Sequence, residues 1–563
     1  MCFQNLDSFR SPNTRVDNNK SNSKGTHLRI HEHEHDVVTP EQLAPFNKIQ
    51  NVARSIQMPA NVYRPDLRFP VKDLEKQLND YTLRSTRSSS SLTSQTMSTM
   101  PQTEDTLPPK RGSRLYRALR WRSFTTYYRL FSVAILANLG AWAYINCRLI
   151  RRAPAIFQDP SQNYSIEHQL MGMLTAVSAN LVAAIIMRNE HFVNFLFRVF
   201  VVHVPPTTPL RVRRVVAKVY CYGGVHSGGG LMAGLWYTSF TVGSVYDSIR
   251  WQGDFSFMDR LNLALTGLNW FLFVVIISAA HPRVRSYMHD YFEASHRFCG
   301  WVLLVSFWLQ TILFNLTGAF ERHEPFGLAL TQIPTFWMLL ILTALIIYPW
   351  LRATHNFKVH AEKLSNHATR IHFKTSSIMP PCRVIRVSDN ICRETHAFAT
   401  IPEPAGKPGF SVIISNAGDW TRRMIDSPPE RLSIKGSPTW GVLRIATMFR
   451  PAVIVATGSG IGPCIGLFNG CPNLKCRVLW STRNPEETYG KAVVDIVRRA
   501  DPEAQIYDSN LWGRLDLAQL AYNMYKESQA EAVIVISNKN LTSMVVRKLE
   551  CRGVPAFGPI WDS

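Results

Sequence analysis

The sequence predicts a multi-domain protein: a disordered N-terminal tail, a six-helix transmembrane bundle, an antiparallel β-barrel and an α/β nucleotide-binding domain. Three observations predict this order. Apolar runs long enough to cross a bilayer occur only in the middle of the 563 residues. Short β-like runs follow them, and a later apolar strand breaks into closely spaced glycines. We place the four regions at residues 1–112, 113–352, 353–450 and 451–563.

The first 112 residues are polar and irregular, with a serine-rich patch that includes Ser85, Ser88 and Ser98. A segment of this composition cannot bury enough apolar surface to offset the entropy lost on ordering, so we expect a disordered cytosolic tail. Phosphorylation of its serines would give the tail a way to recruit protein partners.

The charge is uneven and basic. The chain carries 62 Lys and Arg residues against 40 Asp and Glu residues, a formal charge of +22. Much of the excess flanks apolar segments instead of forming one face, which favours membrane lipid as a partner and argues against nucleic acid. The ten cysteines are scattered without a C-x-x-C pair. This pattern argues against a disulfide scaffold or a zinc ribbon.

Six apolar runs each approach the roughly 20 residues that a spanning helix needs. They lie at about 130–147, 170–187, 219–242, 261–280, 297–315 and 328–350. Basic residues precede the first, third and fifth runs. The positive-inside rule therefore predicts a multi-pass protein of the plasma membrane or an endomembrane, with both termini in the cytosol.

Two further features bear on this orientation. Arg148, Arg151 and Arg152 follow the first run on the predicted outer side and oppose it. The sequons at Asn163 and Asn315 fall on that side or at its boundary, which agrees with it and predicts a glycoprotein.

The stretch Val453-Ile-Val-Ala-Thr-Gly-Ser-Gly-Ile-Gly-Pro463 is the most informative motif. Glycines that follow a strand and open a helix let backbone N–H groups approach a pyrophosphate, and the helix N-terminus adds positive potential. The spacing is G-x-G-x-G-P, which differs from the G-x-G-x-x-G of Rossmann proteins. We expect this turn to bind a nucleotide, and a nicotinamide nucleotide in particular, although the generic Rossmann spacing is not met.

Several segments together carry a family resemblance: residues 394–404, 415–421, the glycine motif and the ending 557–563. The soluble half resembles FAD and NAD(P)H dehydrogenases of the ferredoxin-reductase type. With six preceding helices, residues 115–563 resemble ferric reductases and NADPH oxidases, and most of all the fungal TmpA-like membrane flavoproteins. The resemblance implies FAD and either NADPH or NADH as cofactors.

The resemblance also implies site residues. His396-Ala-Phe398-Ala is similar to the H-P-F-T strand that holds the flavin, and Gly418-Asp-Trp-Thr421 to the segment that holds its pyrophosphate. The implied FAD residues are His396, Phe398, Thr400, Gly418, Thr421, Gly436 and Trp561. The implied NAD(P) residues are Gly458, Ser459, Gly460, Gly462, Pro463, Arg483 and Arg514. A surface role for Arg483 and a core role for Trp561 stay open as alternatives.

The membrane half matches the family only in part. Family members hold two haems with two histidines on each of two helices, whereas here the third and fifth runs carry His226 and His296 alone. One haem b is compatible with this pair. The other ligand positions would fall near Ser239 or Phe240 and near Leu309 or Gln310, none of which is a usual haem ligand. The alternative is that both histidines are hydrogen-bonded polar residues inside the bundle.

The sequence thus predicts a membrane-bound oxidoreductase that takes hydride from NAD(P)H to FAD on the cytosolic face, with an unknown electron acceptor. The resemblance implies a role in redox signalling, fungal development or specialised metabolism. A non-enzymatic membrane sensor or scaffold is the competing reading, supported by Ala399 and by Ser537-Asn538, where many relatives have Thr and Cys-Gly. A metalloreductase or a superoxide-generating oxidase is a third alternative, against which the missing histidines count.

Overall fold

The computed structural model describes residues 106–158, 163–250, 256–390 and 394–560. Most of the predicted tail and Trp561 lie outside these residues. The described chain has a helical first half and a soluble second half in which a mainly antiparallel sheet precedes a parallel one.

The first half contains eleven α-helices among the described residues. They are α1 (Arg114–Ala118), α2 (Thr126–Gln158), α3 (Asn163–Ile186), α4 (Glu190–Phe197), α5 (Leu210–Val216), α6 (Gly223–Arg250), α7 (Phe257–Ala280), α8 (Pro282–Tyr287), α9 (His289–Glu321), α10 (Phe326–Gln332) and α11 (Pro334–Leu351). A π-helical turn, Arg198–Val202, extends α4, and a 3-10 segment, Ala217–Tyr222, precedes α6.

Six long helices correspond to the six predicted ones, and five of them, α2, α3, α7, α9 and α11, are long and apolar enough to cross a membrane. The exception in the described chain is α6, which packs against α2, α3 and α7. Its glycines, Ser239 and Thr241 lower its mean hydropathy. Because α6 packs against three neighbouring helices, it needs fewer apolar side chains than a helix with most of its surface toward lipid.

Three predicted boundaries move. The sixth run begins at Pro334 and not at 328, because Ile333 is extended (φ −87°, ψ 129°), as residues before proline prefer. The third begins at Gly223, after the 3-10 segment. Helix α2 continues through Arg148 and Arg151, which therefore lie within a helix and not in a connecting loop.

The glycoprotein prediction fails at Asn315. This residue lies inside α9, where its side chain is buried and its amide donates a hydrogen bond to the Thr311 carbonyl at 2.8 Å. A buried side chain in a helix is not an acceptor for a glycan, which needs an exposed loop. Asn163, the other sequon, is the first residue of α3.

The second half begins with seven strands in the order β4-β3-β7-β1-β2-β6-β5. They are β1 (Thr354–Lys363), β2 (Ala368–Phe373), β3 (Arg383–Ser388), β4 (His396–Ala399), β5 (Ile401–Pro402), β6 (Phe410–Ser415) and β7 (Arg431–Trp440), with α12 (Asp419–Asp426) between the last two. Strand β4 also contacts β6, so the sheet curls around an apolar core. This agrees with the predicted antiparallel barrel.

A parallel sheet of five strands follows, in the order β10-β9-β8-β11-β12. Its strands are β8 (Ala452–Thr457), β9 (Cys476–Thr482), β10 (Gln505–Asp508), β11 (Ala532–Ile536) and β12 (Ala556–Phe557). Its helices are α13 (Ile461–Gly470), α14 (Pro485–Tyr489), α15 (Lys491–Ala500), α16 (Ser509–Trp512), α17 (Leu517–Glu527) and α18 (Lys539–Glu550). Strand β8 is central and is buried from Ala452 to Ala456, as is typical of parallel sheets.

The connection between α3 and α6 belongs to the core of the soluble half. Val193, Phe197 and Val201 are each buried, and they pack in one cluster with Phe449 and Ile454. Their spacing of four residues places them on one face of α4 and its π-helical turn. The membrane half therefore supplies part of the core on which the two sheets are assembled.

Polar contacts fix this docking. The Glu190 side chain is 1% exposed, and its carboxylate accepts a hydrogen bond from Arg386 Nη1 at 3.0 Å. Asn194 Oδ1 accepts from Arg383 Nη1 at 2.9 Å and from the Trp440 amide at 3.0 Å. Strands β3 and β7 are thus both bonded to α4.

Residues 106–112, predicted as the end of the tail, lie against the parallel-sheet domain. The Leu107 amide donates to Gln519 Oε1 at 3.0 Å. The Arg111 amide donates to the Cys551 carbonyl at 2.8 Å, and Arg552 Nε donates to the Pro108 carbonyl at 2.8 Å. The chain just before the first membrane helix is therefore bound to α17 and to the end of α18.

We predict that Arg386→Ala destabilises the soluble half. The substitution leaves the Glu190 carboxylate buried without its cation, which costs about 3 kcal/mol or more. For a soluble half of roughly 200 residues, this loss should lower the melting temperature of the purified protein by roughly 6 °C. The control is Arg422→Ala, which removes an exposed arginine of α12. Equal melting temperatures for the two variants would contradict the prediction.

Candidate functional site

The glycine motif forms a tight turn at the carboxyl end of the central strand β8. Gly458 has a left-handed φ of +50°, which favours glycine. A Cβ atom at Gly460 would collide with the carbonyl oxygen of Ile536 on the neighbouring strand β11. Trp480 Nε1 donates to the Gly458 carbonyl at 3.2 Å and holds the turn from the other side. Two of the predicted glycines are therefore required by local geometry.

The turn lies where the parallel sheet meets the barrel. A Cβ at Gly462 would be 3.5 Å from the Ile413 side chain of β6, and Gly466 packs against the carbonyl of Thr400. Thr400, one of the predicted FAD residues, is fully buried, and its hydroxyl donates to the Arg383 carbonyl at 3.2 Å. Its hydroxyl is thus engaged within the protein.

Thr457, the last residue of β8, was not predicted as a site residue, and its hydroxyl is hydrogen-bonded to that of Ser537, which directly follows β11. The Asn538 side chain caps α18 by accepting from the Leu541 amide at 3.0 Å. This cap gives a structural reason for an asparagine there. The sequence signal that could have found Thr457 is its place directly before the glycine turn.

Arg483 and Arg514 follow β9 and α16, and both side chains are exposed. Arg483 directly follows the carboxyl end of β9, at the edge of the sheet where the glycine turn lies, and Arg514 follows the short helix that begins at the carboxyl end of β10. Between them, the Asp508 carboxylate accepts from the Asn484 amide at 3.1 Å and from the Asn510 amide at 2.8 Å. The Asp508 carboxylate thus ties the loop after β9 to the start of α16, and both guanidiniums are exposed to solvent.

His396 and Phe398 lie on the inner face of β4, because they pair with the core residues Val387 and Ile385 of β3. The indole of Trp420 covers both. Its ring is stacked on His396 at 4.2 Å and on Phe398 at 5.9 Å between centroids. Ala397 and Ala399 lie on the opposite face of the strand. The rings predicted to hold a flavin are therefore already in contact with an aromatic side chain.

Gly418 and Thr421 form the N-terminus of α12, next to the Trp420 stack. Thr421 Oγ1 accepts from the amides of Ala417 and Gly418 at 2.8 and 3.0 Å. A Cβ at Gly418 would meet open space. The amides of residues 419–421 are the unsatisfied first N–H groups of the helix, which attract an anion.

Gly436 lies apart from these residues. It has a φ of +70° at a register shift between β3 and β7, and a Cβ there would collide with the Glu190 carboxylate. The structure thus brings His396, Phe398, Gly418 and Thr421 together, and separately gathers the glycine turn. It places Gly436 against the membrane-connecting helix α4.

His226 of α6 and His296 of α9 face each other, with ring centroids 6.3 Å apart. His226 Nδ1 is 2.8 Å from the Ala184 carbonyl oxygen. Because a carbonyl oxygen only accepts hydrogen bonds, Nδ1 carries the proton, and the lone pair of the neutral ring is on Nε2. Gly230 of α6 and Gly300 of α9 lie one helical turn after the two histidines. A Cβ atom added at either glycine would have no neighbouring atom within 4 Å. The pair is therefore bordered by open space on both helices.

A polar cluster fills the bundle at the level of the missing histidines. Gln310 Oε1 accepts from the Tyr237 hydroxyl at 2.6 Å and from Asn269 Nδ2 at 3.0 Å. Gln310 Nε2 donates to the Thr266 hydroxyl at 2.7 Å. All four side chains are buried, and Phe240 packs on Tyr237. These residues occupy the place where a second pair of ligands would stand.

Titratable groups near the turn are held neutral. Burial raises the pKa of the Cys464 thiol well above its usual range, so this cysteine is unsuited to nucleophilic chemistry. Burial also raises the pKa of Tyr489, which packs on Trp480. The described residues contain no group of three or more His, Cys, Asp and Glu side chains that could hold a metal ion.

Comparison with known proteins places the last part of the chain. Residues 442–563 match the family model described as adenylate-forming reductase 03009, C-terminal domain. The chain is 39% identical to adenylate-forming reductase 03009 of Coprinopsis cinerea over 462 aligned residues. The aligned stretch covers 82% of this chain and 42% of that protein. Adenylate-forming reductase 06235 of the same fungus is 38% identical over 460 residues, with the same coverage. The chain thus spans less than half the length of these relatives.

Solved structures share only a distant likeness. A ferredoxin NADP+ reductase from Neisseria gonorrhoeae with bound FAD and NADP is 10% identical, covers 37% of this chain and 99% of its own, and has a TM-score of 0.30. A flavohemoglobin from Malassezia yamatoensis with bound FAD and heme is 11% identical, covers 69% of this chain and 97% of its own, and has a TM-score of 0.32. Function therefore has to be argued from the site residues.

We predict that Gly460→Ala destabilises the protein by about 1–3 kcal/mol, because the new methyl group forces apart the turn and β11. Gly462→Ala is the matched control, since its methyl group would make only ordinary contact with Ile413. Denaturant unfolding of both purified variants measures the difference. A Gly460→Ala variant as stable as Gly462→Ala would show that the described turn is wrong.

Proposed function

We propose that this protein is a membrane-bound oxidoreductase that takes hydride from NAD(P)H to FAD. The single observation that carries the proposal is the position of the glycine turn. It ends the central strand of a parallel sheet and lies directly against β6 of the antiparallel sheet, so that a nucleotide on the turn adjoins the other domain. The curated relatives are named reductases, which agrees with this class of reaction.

The nicotinamide nucleotide would bind along the carboxyl edge of the parallel sheet. The backbone from Gly458 to Pro463 can approach its pyrophosphate, since glycines leave the N–H groups uncovered. Arg483 and Arg514 are both exposed, and in the proposed arrangement their guanidiniums hold a 2′-phosphate, to which a guanidinium can form two parallel hydrogen bonds. This arrangement favours NADPH over NADH.

The residues also fit FAD at the neighbouring domain. The free amides at the start of α12 and the open space at Gly418 suit a pyrophosphate, and His396 lies against the same helix through Trp420. FAD, when bound, accepts a hydride and passes its two electrons on singly. The protein binds and orients the two nucleotides and excludes water between the sheets.

The membrane half suits one haem b. His226 and His296 present two imidazoles at a spacing of 6.3 Å between ring centroids, and the Ala184 carbonyl fixes the orientation of the first. A haem bound here would carry one electron at a time. The polar cluster around Gln310 stands where the histidines of a second haem would be needed. We therefore do not propose that electrons are exported across the bilayer.

Both termini would lie in the cytosol, where NAD(P)H is available. Arg213 and Lys218, whose charges set the predicted orientation, form ion pairs with Glu531 and Glu550 of the soluble half. The basic connection and the reductase domains therefore lie on one side, as the positive-inside rule requires. We further propose that the protein acts in redox signalling, fungal development or specialised metabolism. This role is what its resemblance to the fungal TmpA-like flavoproteins implies.

One observation favours a non-enzymatic sensor or scaffold as the second candidate. Trp420 is stacked on both predicted flavin residues of β4 and is 4% exposed. If this stack excludes the flavin ring, the domain retains its fold without the cofactor. Absence of bound flavin from protein purified with added FAD would favour this candidate.

We predict that Arg483→Gln with Arg514→Gln raises the KM for NADPH at least tenfold, since charge-assisted hydrogen bonds to the 2′-phosphate are worth about 1.5–3 kcal/mol. The KM for NADH should stay within about twofold, because NADH lacks that phosphate. Arg499→Gln, which removes an exposed arginine of α15, is the control. Equal losses with both nucleotides would contradict the assignment.

The absorption spectrum of the detergent-purified protein tests the proposed function. We expect flavin bands that bleach on anaerobic addition of NADPH, and a haem Soret band that is lost in His226→Ala and in His296→Ala. His203→Ala, which removes an exposed histidine of the same membrane connection, should keep both chromophores. A spectrum that shows neither flavin nor haem, recorded with FAD in excess, would overturn the proposed oxidoreductase activity.

A further inference from the structure

The connection between α3 and α6 has a second face that the core does not use. Phe195, Val199, Phe200, Val212 and Val215 point outward and are 56, 42, 39, 46 and 72% exposed. Arg198 and Arg211 lie among them and are also exposed. We call these seven residues the outer face of the 190–216 segment. Large apolar side chains that are gathered in this way normally mark an interaction surface.

The position of the segment indicates what covers this face. Its first residue follows α3, a candidate membrane span, by four positions. His191 Nε2 is 2.7 Å from the hydroxyl of Tyr348, which lies three residues before the end of the span α11. The start of the segment therefore lies at the level where two spans leave the hydrocarbon, and its end leads through the 3-10 segment into α6.

The charge of the segment also indicates a lipid surface. Within residues 187–222, Glu190 is the sole acidic residue, and it is buried against Arg386. The outer face thus carries two arginines and no carboxylate. Aromatic and aliphatic side chains interleaved with arginine are typical of elements that lie in the membrane interface.

We propose that the outer face of the 190–216 segment lies in the headgroup layer of the membrane, with Arg198 and Arg211 bound to phosphates of anionic phospholipid. The inner face of the same segment packs Val193, Phe197 and Val201 into the core of the soluble half. The segment would therefore fix the height and tilt of the two sheet domains above the bilayer. The proposal does not depend on the proposed oxidoreductase activity.

Nitroxide labels on the full-length protein in lipid nanodiscs test the placement. Single cysteines replace Val199 or Val215 in a background without the accessible native cysteines, and Ile378→Cys, at an exposed apolar residue outside the segment, is the control. We expect the first two labels to collide more with oxygen than with a water-soluble nickel chelate, and the control label to show the reverse. Nickel accessibility equal to that of Ile378→Cys would overturn the proposal, as would spin–spin coupling between two copies.

Lipid selectivity tests the role of the arginines. The relative association of spin-labelled phosphatidylserine over phosphatidylcholine with the full-length protein should fall severalfold in Arg198→Gln/Arg211→Gln, because arginines near the membrane surface attract anionic lipid. Arg499→Gln/Arg547→Gln removes two exposed arginines of α15 and α18 and is the matched control. An unchanged selectivity in the first variant would overturn the assignment to lipid phosphate.

Discussion

The burial of Glu190 beneath strands β3 and β7 is the constraint on which the rest of the architecture depends. A carboxylate that is 1% exposed is tolerated only with a cation, and Arg386 supplies it across the boundary between the membrane connection and the barrel. With α4 held there, Val193, Phe197 and Val201 enter a core shared with the strand that carries the glycine turn. Membrane helix, barrel and nucleotide domain are thus joined through one short helix.

The packing of α4 against the sheets also changes the pKa values of nearby basic groups. Burial, together with Arg386 and Arg297, lowers the pKa of Lys435 to about 8, and the ammonium lies 3.5 Å from the centre of the Trp350 ring. Burial and the neighbours Arg198 and Arg444 lower the pKa of Arg383 to about 10. Several cations therefore lie close together between the sheets and the bundle, and the carboxylates of Glu190 and Glu293 act in the opposite direction on the pKa of Lys435.

Periodicity and the glycine turn were sufficient to predict the order of the domains, because both are local properties of the chain. They could not show that α6 packs against α2, α3 and α7 at once, since this packing depends on helices far away in sequence. The assignment of Gly436 rested on a motif, whereas its environment is set by Glu190, 246 residues earlier. Likewise, the stack of Trp420 on His396 and Phe398 arises from strand pairing, which fixes the inward face of β4. The cap at Asn538 was within reach of sequence reasoning, since asparagine before a helix is a common signal.

The contributions of the membrane connection to the core limit how separable the two halves are. A fragment that begins after α11 would lack Val193, Phe197 and Val201 and would expose the apolar residues against which they pack. It would also lack residues 107–111, which bind α17 and the end of α18. The soluble half is therefore not an independent module that could be exchanged between proteins at a simple linker. Its inheritance is tied to that of the helices that precede it.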